Sequence, residues 1–394
     1  MKPILSLIPR LNFDYDLSDL ICGIKSTFLE KRFDFKLTEP IFGKRTVFFT
    51  NSGRTSLYII LKALNLPKGS NIGVPLYSCT SVYDAIIKAG YVPYFIDIDL
   101  DTYTTDPSDL ENKIKDLSAI IVIHTFGHPA DMDKIKRVAD DIPIIEDCAQ
   151  SLLSEYKNKK TGTMGCASFF SFRLGKYISA GEGGMIIVNH EYLNDGIKKE
   201  VEKLSAPSAF NEIKHSYITY IKSFLHHKPW FGTFVIPMSS ILKSETLIDK
   251  KDFKIAAIRK ADLAIFFKKL YTFKENVEKQ RQNSKFLLDR LKDTSLILPY
   301  EKEWAYSSYY LFAIRFDNKK ERDTACEYLR TRGVDSARFW ETYQISKLNY
   351  GYKGDCPNTE MCAQTIATLP NYYRLSFKEL LKIVSTTKEV IKLP

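Results

Sequence analysis

The chain has 394 residues, 44% hydrophobic and 26% charged, with a formal charge of +10. These are the proportions of a folded globular protein, and the length calls for two packed lobes instead of one core. No run reaches the roughly 18–20 uncharged apolar residues of a membrane-spanning helix.

The start, Met1-Lys2-Pro3-Ile4-Leu5-Ser6-Leu7-Ile8-Pro9, is a short apolar patch broken by prolines, with no small-residue cleavage site, so the expected address is the cytoplasm. Seven scattered cysteines form no Cys-x-x-Cys pair and no cluster of metal-ligand spacing. That argues against a disulfide framework and a zinc site, and leaves reduced thiols used as small hydrophobes. The positive excess favours anionic partners. Nucleic acid is the weakest of these, because no zinc-finger or RNA-recognition signature accompanies the charge.

From about residue 50 to 190 short apolar runs alternate with amphipathic segments. A helix is predicted over 55–64, a strand ending at 71–75, a helix over 81–89 and a strand over 92–97. Asp106-Pro107-Ser108-Asp109 is a helix start, with a capping carboxylate and proline in the first turn. Next come a β-rich run at 119–124, a helix at 131–140 and a buried strand at 142–145. Further strands are predicted at 167–173 and 184–189. Strands alternating with helices of this length imply crossover units and a mainly parallel sheet, buried on both faces.

Residues 191–252 are basic, aromatic and hard to read. Within them 213–228 mixes basic and apolar residues, and the expectation is an ordinary helix packed on its own subunit or on a dimer partner. A place on a membrane surface or over the active site is the alternative. The apolar spacing of Ile255, Ile258, Leu263, Phe266, Leu270, Phe273 and Val277 suggests one or two long helices over 253–292. A strand at 309–316, a helix at 321–332 closed by Gly333, a strand at 334–339 and two final helices make an α+β lobe.

In an open parallel sheet, ligands sit beyond the carboxyl ends of the strands. Ile142-Pro143-Ile144-Ile145 runs straight into Glu146-Asp147-Cys148-Ala149-Gln150, placing acids at such an end. A second strand delivers Ser171, followed by Lys176 and the glycine-rich Gly181-Glu182-Gly183-Gly184. Either element alone reads as a cap, a loop charge or a solvated lysine. Together they match the needs of pyridoxal phosphate (PLP): a lysine for the Schiff base, a carboxylate to keep the pyridine nitrogen protonated, and small donors for the phosphate. Such a carboxylate–pyridinium pair attracts by up to roughly 4 kcal/mol at about 4 Å and an effective dielectric near 20.

The stretch from Asn51 to Asn189 resembles the DegT/DnrJ/EryC1/StrS family of sugar aminotransferases. The resemblance rests on Ser52-Gly53-Arg54-Thr55-Ser56-Leu57, on Pro75 with the following loop, and on Gly90-Tyr91-Val92-Pro93-Tyr94-Phe95-Ile96-Asp97-Ile98-Asp99. It rests also on His124-Thr125-Phe126-Gly127-His128-Pro129-Ala130-Asp131-Met132-Asp133, on Glu146 to Gln150, and on the lysine motif from Ser171 to Gly184. Asp252 to Leu263, Pro357 to Glu360 and Leu369-Pro370 are weaker echoes.

The resemblance implies an α/β fold of PLP fold type I. A seven-stranded, mainly parallel sheet would lie in a large domain over 46–255, with an N-terminal segment over 1–45 packed on a smaller C-terminal α+β domain over 256–394. It implies a homodimer that aminates a nucleotide-linked keto sugar, with glutamate as donor, for surface polysaccharide or other glycans. Lys176 would be the catalytic Schiff-base lysine, Asp147 the partner of the pyridine nitrogen and Gln150 the neighbour of the ring hydroxyl. Ser171, with the backbone N–H groups of Arg54 and Thr55, would hold the phosphate.

Three departures from the family pattern stand out. Cys79 occupies the ring-stacking position, where an aromatic is usual, so stacking is weaker or comes from Tyr77. Arg54 replaces the usual threonine, and either binds phosphate or points to solvent. The family's Gly-Tyr-Asn-Tyr-Arg segment, whose Asn reaches the neighbouring subunit's phosphate, has no clear match between 225 and 255. Two rival readings are a PLP-dependent sugar dehydratase, which would carry histidine in place of Lys176, and a non-catalytic regulatory or envelope-assembly member.

Overall fold

A computed structural model describes residues 4–29, 33–238, 252–338 and 350–391. The strands, in chain order, are β1 (Thr46–Thr50), β2 (Asn71–Pro75), β3 (Val92–Ile96), β4 (Ala119–Ile123) and β5 (Ile144–Asp147), then the short hairpin β6 (Glu155–Tyr156) and β7 (Lys159–Lys160), then β8 (Ala167–Ser171) and β9 (Gly184–Val188). Seven of them form the main sheet, ordered β1-β9-β8-β5-β4-β2-β3. The pairs β3–β2, β2–β4, β4–β5 and β5–β8 are parallel, and only β9 runs against its two neighbours. Every residue of β4, β5 and β9 is buried, as a sheet covered on both faces requires. The predicted elements between 55 and 189 lie within a few residues of the observed ones. Strand β1 was not foreseen from the sequence, though Val47, Phe48 and Phe49 are good strand formers.

The remaining strands are β10 (Ala305–Tyr306), β11 (Phe312–Arg315), β12 (Ala337–Arg338) and β13 (Ile366–Leu369). The last three form an antiparallel sheet ordered β11-β13-β12. Its core joins Phe312 and Leu369 to Leu329 and Ile383 from the helices Lys319–Thr331 and Phe377–Ile391. The N-terminal segment divides its contacts. Ile8 bridges to Val334, while the Leu17–Phe28 helix packs on the Lys260–Leu270 and Ala209–Leu225 helices. The predicted strand at 334–339 is reduced to β12, and Phe339 lies outside the described residues.

The long-helix region divides into Lys260–Leu270 and Phe273–Leu291, and its start differs from the sequence expectation. Residues 252–259 are not helical. Their backbone is used by other segments: the Asn51 N–H donates to Ala256 O at 3.1 Å, and the Ala257 N–H donates to Ser205 O at 3.1 Å. The helix then begins where the buried Glu212 carboxylate accepts from the Lys260 and Ala261 N–H groups, each at 3.2 Å. A cap supplied from 48 residues away leaves no local signal.

Asp97, just beyond β3, joins the main sheet to the C-terminal region. Its Oδ1 accepts from the Thr359 N–H and hydroxyl at 2.8 Å each, and its Oδ2 accepts from the Asn358 N–H at 2.9 Å. It thereby caps the Pro357–Thr365 helix. Because Asp97 is buried, Asp97→Ala strands four donors, the Ile98 N–H included, and each lost bond to a charged acceptor costs about 1.5–3 kcal/mol before relaxation. A net loss of about 2–4 kcal/mol is expected. Urea unfolding measures it, and a change below about 0.5 kcal/mol would show that the cap is not a structural tie.

Candidate active site

The period-two alternation of β5 sends its two acids to opposite faces. Glu146 is fully buried and receives four hydrogen bonds, from Gly162 N–H (2.8 Å), Met164 N–H (2.6 Å), Gly165 N–H (2.6 Å) and His124 Nε2 (3.0 Å). The Ala130 N–H donates to His124 Nδ1 at 3.0 Å, which places the ring proton on Nε2 and makes His124 a structural donor. Burial opposes ionisation of Glu146, but the His124 hydrogen bond and the backbone donors prevail and hold it below its usual range. Cys148 lies within ligand distance of this pair, yet both imidazole nitrogens are already engaged. Burial pushes the Cys148 thiol well up, so it acts as packing.

Asp147 emerges on the other face. It too is buried, its Oδ1 accepts from the Ala149 N–H at 2.9 Å, and among the described residues its Oδ2 has no hydrogen-bond donor. Burial raises it to about 6, against opposing pulls from the Ala149 N–H, Lys176 and His124. Lys176 follows β8 on a turn in which its N–H donates to Arg173 O at 3.0 Å, while Arg173 bridges to Gly181. A Cβ at Gly181, where φ is +113°, would stand 2.8 Å from Asp262 Oδ1, so this close turn admits only glycine.

Lys176 Nζ lies 4.7 Å from the centre of the Tyr310 ring. Burial lowers the ammonium to about 8, Arg173 adds to the effect, and Asp147 and Cys79 oppose it. A cleft of about 360 Å³ opens beside it, lined by Lys176, Tyr177, Tyr310, Gln280, Asn371 and Asn12 among others.

A helix end completes the site. The Gly53–Leu64 helix is capped by Ser52, whose Oγ accepts from the Thr55 N–H at 3.2 Å. The Thr55 N–H is therefore already engaged, contrary to its expected role, and the Gly53 and Arg54 N–H groups are those left without an intrahelical acceptor. Ser171 adjoins them. A Cβ at Gly53 would lie 3.1 Å from Ser171 Cβ, and one at Gly184 would lie 2.4 Å from Ser52 O.

Other expectations are corrected in detail. The Arg54 side chain neither turns toward the helix end nor to open solvent: its Nη1 lies 3.5 Å from Asp84 Oδ2, and its guanidinium lies 5.0 Å from the Phe253 ring centre. Tyr77 is no stand-in for a stacking aromatic, because it is fully buried against Phe126 and Tyr103. Cys79 is exposed at the start of the Thr80–Ala89 helix. Gln150 is buried, and its Oε1 accepts from the Phe126 N–H at 3.1 Å, while among the described residues its amide nitrogen has no acceptor. The stretch in which the family's cross-subunit Asn would fall, 225–255, lies partly outside the described residues. Sequence reading missed Tyr310, Gln280, Asn371 and Asn12. They reach Lys176 from remote segments, and no local motif marks them.

A parallel sheet whose strand ends bring together a desolvated lysine, a buried carboxylate with an open oxygen and a helix N-terminus defines a cofactor-dependent enzyme. The sequence model of the DegT/DnrJ/EryC1/StrS aminotransferase family matches residues 26–221 and 253–388, and the chain belongs to that family. It is a PLP-dependent aminotransferase. An uncharacterised protein of Methanocaldococcus jannaschii is 26% identical over 95% of both chains. GDP-perosamine synthase of Escherichia coli O157:H7 is 38% identical over 37% of this chain and 41% of its own length. The PLP form of the putative sugar aminotransferase Spr1654 from Streptococcus pneumoniae has the same fold, with a TM-score of 0.76 at 18% identity over 98% of this chain and 99% of its own.

The site fits that cofactor. Asp147 Oδ2 is open to a ring N–H, and the space at the Gly53 helix end is one that a Cβ would fill. The electrostatic coupling is testable without cofactor. Asp147 raises the Lys176 pKa, so Asp147→Asn is expected to move it below about 8, and only above pH ~6, where Asp147 is ionised in the parent. The pH dependence of Lys176 acylation, read by mass spectrometry on the apoprotein, gives the midpoint. An unchanged or higher midpoint would show that the two groups are not coupled.

Proposed function

We propose that this enzyme transfers an amino group from glutamate to the keto carbon of a sugar carried on a nucleoside diphosphate, for glycan biosynthesis. The observation that carries the reading is Lys176, half-buried and depressed to about 8, charge-coupled to a buried Asp147 with an open oxygen. The similarity to GDP-perosamine synthase supports the substrate class. The charge of +10 suits a substrate with a pyrophosphate, and a lysine at 176 favours amination over sugar dehydration.

PLP, when bound, supplies an electron sink for the pair left behind when a C–H bond next to nitrogen breaks. The chain's own residues would do the rest. Asp147, held in a desolvated strand end, keeps a proton on the ring nitrogen. The Gly53 and Arg54 N–H groups and the Ser171 hydroxyl hold the phosphate at a helix N-terminus. The Gln150 amide nitrogen would donate to the oxygen of the ring hydroxyl. Lys176 Nζ is the base: its depressed pKa leaves a useful fraction unprotonated near pH 8, and it moves the proton from the donor's α-carbon. Tyr310, packed on Lys176, limits water around that amine. The cleft beside Lys176 serves both partners in turn, so 2-oxoglutarate leaves before the sugar enters.

Three outcomes are expected. Lys176→Ala retains PLP only non-covalently and loses turnover, and a borohydride-stable attachment in that variant would assign the chemistry to another lysine. Asp147→Asn keeps the fold but loses several orders of magnitude in kcat. A loss of only tenfold, ~1.4 kcal/mol, would remove Asp147 from its role. Screening nucleotide sugars with glutamate and following 2-oxoglutarate identifies the acceptor, and no 2-oxoglutarate with any keto sugar would refute the substrate class.

We also propose a homodimer that survives PLP removal, in which a residue from 225–255 of one subunit supports the other's phosphate. Sedimentation at micromolar concentration gives a dimer mass, and a clean monomer rules out the shared site.

A further inference from the structure

The Ala209–Leu225 helix is built inside out. A surface helix normally buries its apolar stripe and exposes its polar one. Here the face turned inward carries Glu212, Ser216, Thr219 and Ser223, all buried. The opposite face exposes Phe210 (73%), Tyr217 (56%), Ile221 (42%) and Phe224 (47%). The stripe continues past the helix: Phe224 lies 5.9 Å from Trp230, and Trp230 lies 5.6 Å from Phe234, whose side chains are exposed as well.

The inner polar face has its own explanation. Glu212 caps the Lys260–Leu270 helix, Ser223 Oγ donates to Phe13 O at 2.6 Å, and Ser216 Oγ lies 3.1 Å from where a Cβ on Gly23 would stand, in a tight helix crossing. Nothing in this packing calls for aromatic residues on the outside. An uncovered patch of this kind marks an interaction surface.

The charge pattern selects the occupant. Between 203 and 238 the sequence has lysines at 203, 214, 222 and 228 and a single acid, Glu212. That acid is buried. Lys214 and Lys222 are exposed on the helix among the apolar residues, so the outer surface of this segment has no acidic side chain. A second copy docking on the same face would set lysine against lysine. Lys203 and Lys228 pair with Glu200 and Glu379, so Lys214 and Lys222 are the lysines that flank the aromatic and aliphatic stripe, the pattern of a helix lying in the headgroup layer of an anionic bilayer. Among the described residues no helix is long and apolar enough to cross a membrane, so the contact would be peripheral.

We propose that the Ala209–Leu225 helix, with the aromatic turn that follows it, is a membrane-binding surface that holds this aminotransferase on an anionic lipid bilayer. This inference is independent of the substrate proposed above.

The test is co-sedimentation of the full-length holoenzyme with vesicles of phosphatidylcholine alone and with ~30% phosphatidylglycerol. Binding is expected to the anionic vesicles and to fall steeply with added salt. Lys214→Gln/Lys222→Gln should weaken it by roughly twentyfold or more, since each lysine near such a surface contributes about fivefold. Tyr217→Ser/Ile221→Ser should weaken it comparably, because the apolar side chains lose their insertion. All four sites are exposed, and unchanged turnover of a soluble substrate would confirm that each variant is folded. No binding by the parent protein, or binding that neither pair of substitutions changes, overturns the proposal. So does a parent that ignores vesicles but dissociates to a smaller mass on Tyr217→Ser/Ile221→Ser, which would make the face an interface between copies.

Discussion

The site depends on the desolvation of one strand end. At the end of β5 two consecutive carboxylates are buried, and they are treated in opposite ways. Glu146 is satisfied by three backbone N–H groups and His124, which anchors the 162–165 loop beneath the sheet. Asp147 receives one N–H and keeps one oxygen open. A buried carboxylate with too few donors is an unstable arrangement unless something charged is to be placed beside it. The satisfied neighbour fixes the backbone from which the unsatisfied one projects.

The same logic runs through Lys176. Burial pushes Asp147 up to about 6 and Lys176 down to about 8, so at neutral pH both carry the charge that their surroundings disfavour. The signs can be followed through folding. For Asp147, whose folded pKa is raised, stability falls as pH climbs from the usual carboxylate range through about 6. For Lys176, whose folded pKa is lowered, stability returns only as pH climbs from about 8 toward the usual lysine range. The fold therefore holds two destabilising groups at its centre, which a ligand with a ring N–H and a carbonyl would relieve. The distribution is that of a functional site, where strain is kept and offset elsewhere.

Those offsets come from long-range ties. Asp97 caps a helix more than two hundred and fifty residues away, and Glu212 caps the Lys260–Leu270 helix. Tyr310 OH donates to Gly175 O at 2.9 Å and Tyr177 OH to Ser308 O at 2.7 Å, so the lysine turn is held by the segment leading into the C-terminal sheet. The lysine is thereby fixed from both sides of its cleft.

The strand–helix alternation, the acid at the end of β5, Lys176 and the glycines behind it were legible in the sequence because each is encoded locally. Buried strands must be continuously apolar, a close turn must be glycine, and chemistry must follow a strand end. The helix start at Lys260 was not legible, since its cap is a side chain remote in sequence. Nor was the turning of Arg54 to Asp84 and Phe253, the burial of Tyr77, or the choice of Gly53 and Arg54 over Thr55 as free N–H donors. The composition of the Ala209–Leu225 helix was readable, but not which face points outward. Periodicity gives the angle between two stripes of a helix, and only the packing of the rest of the molecule decides which stripe is covered.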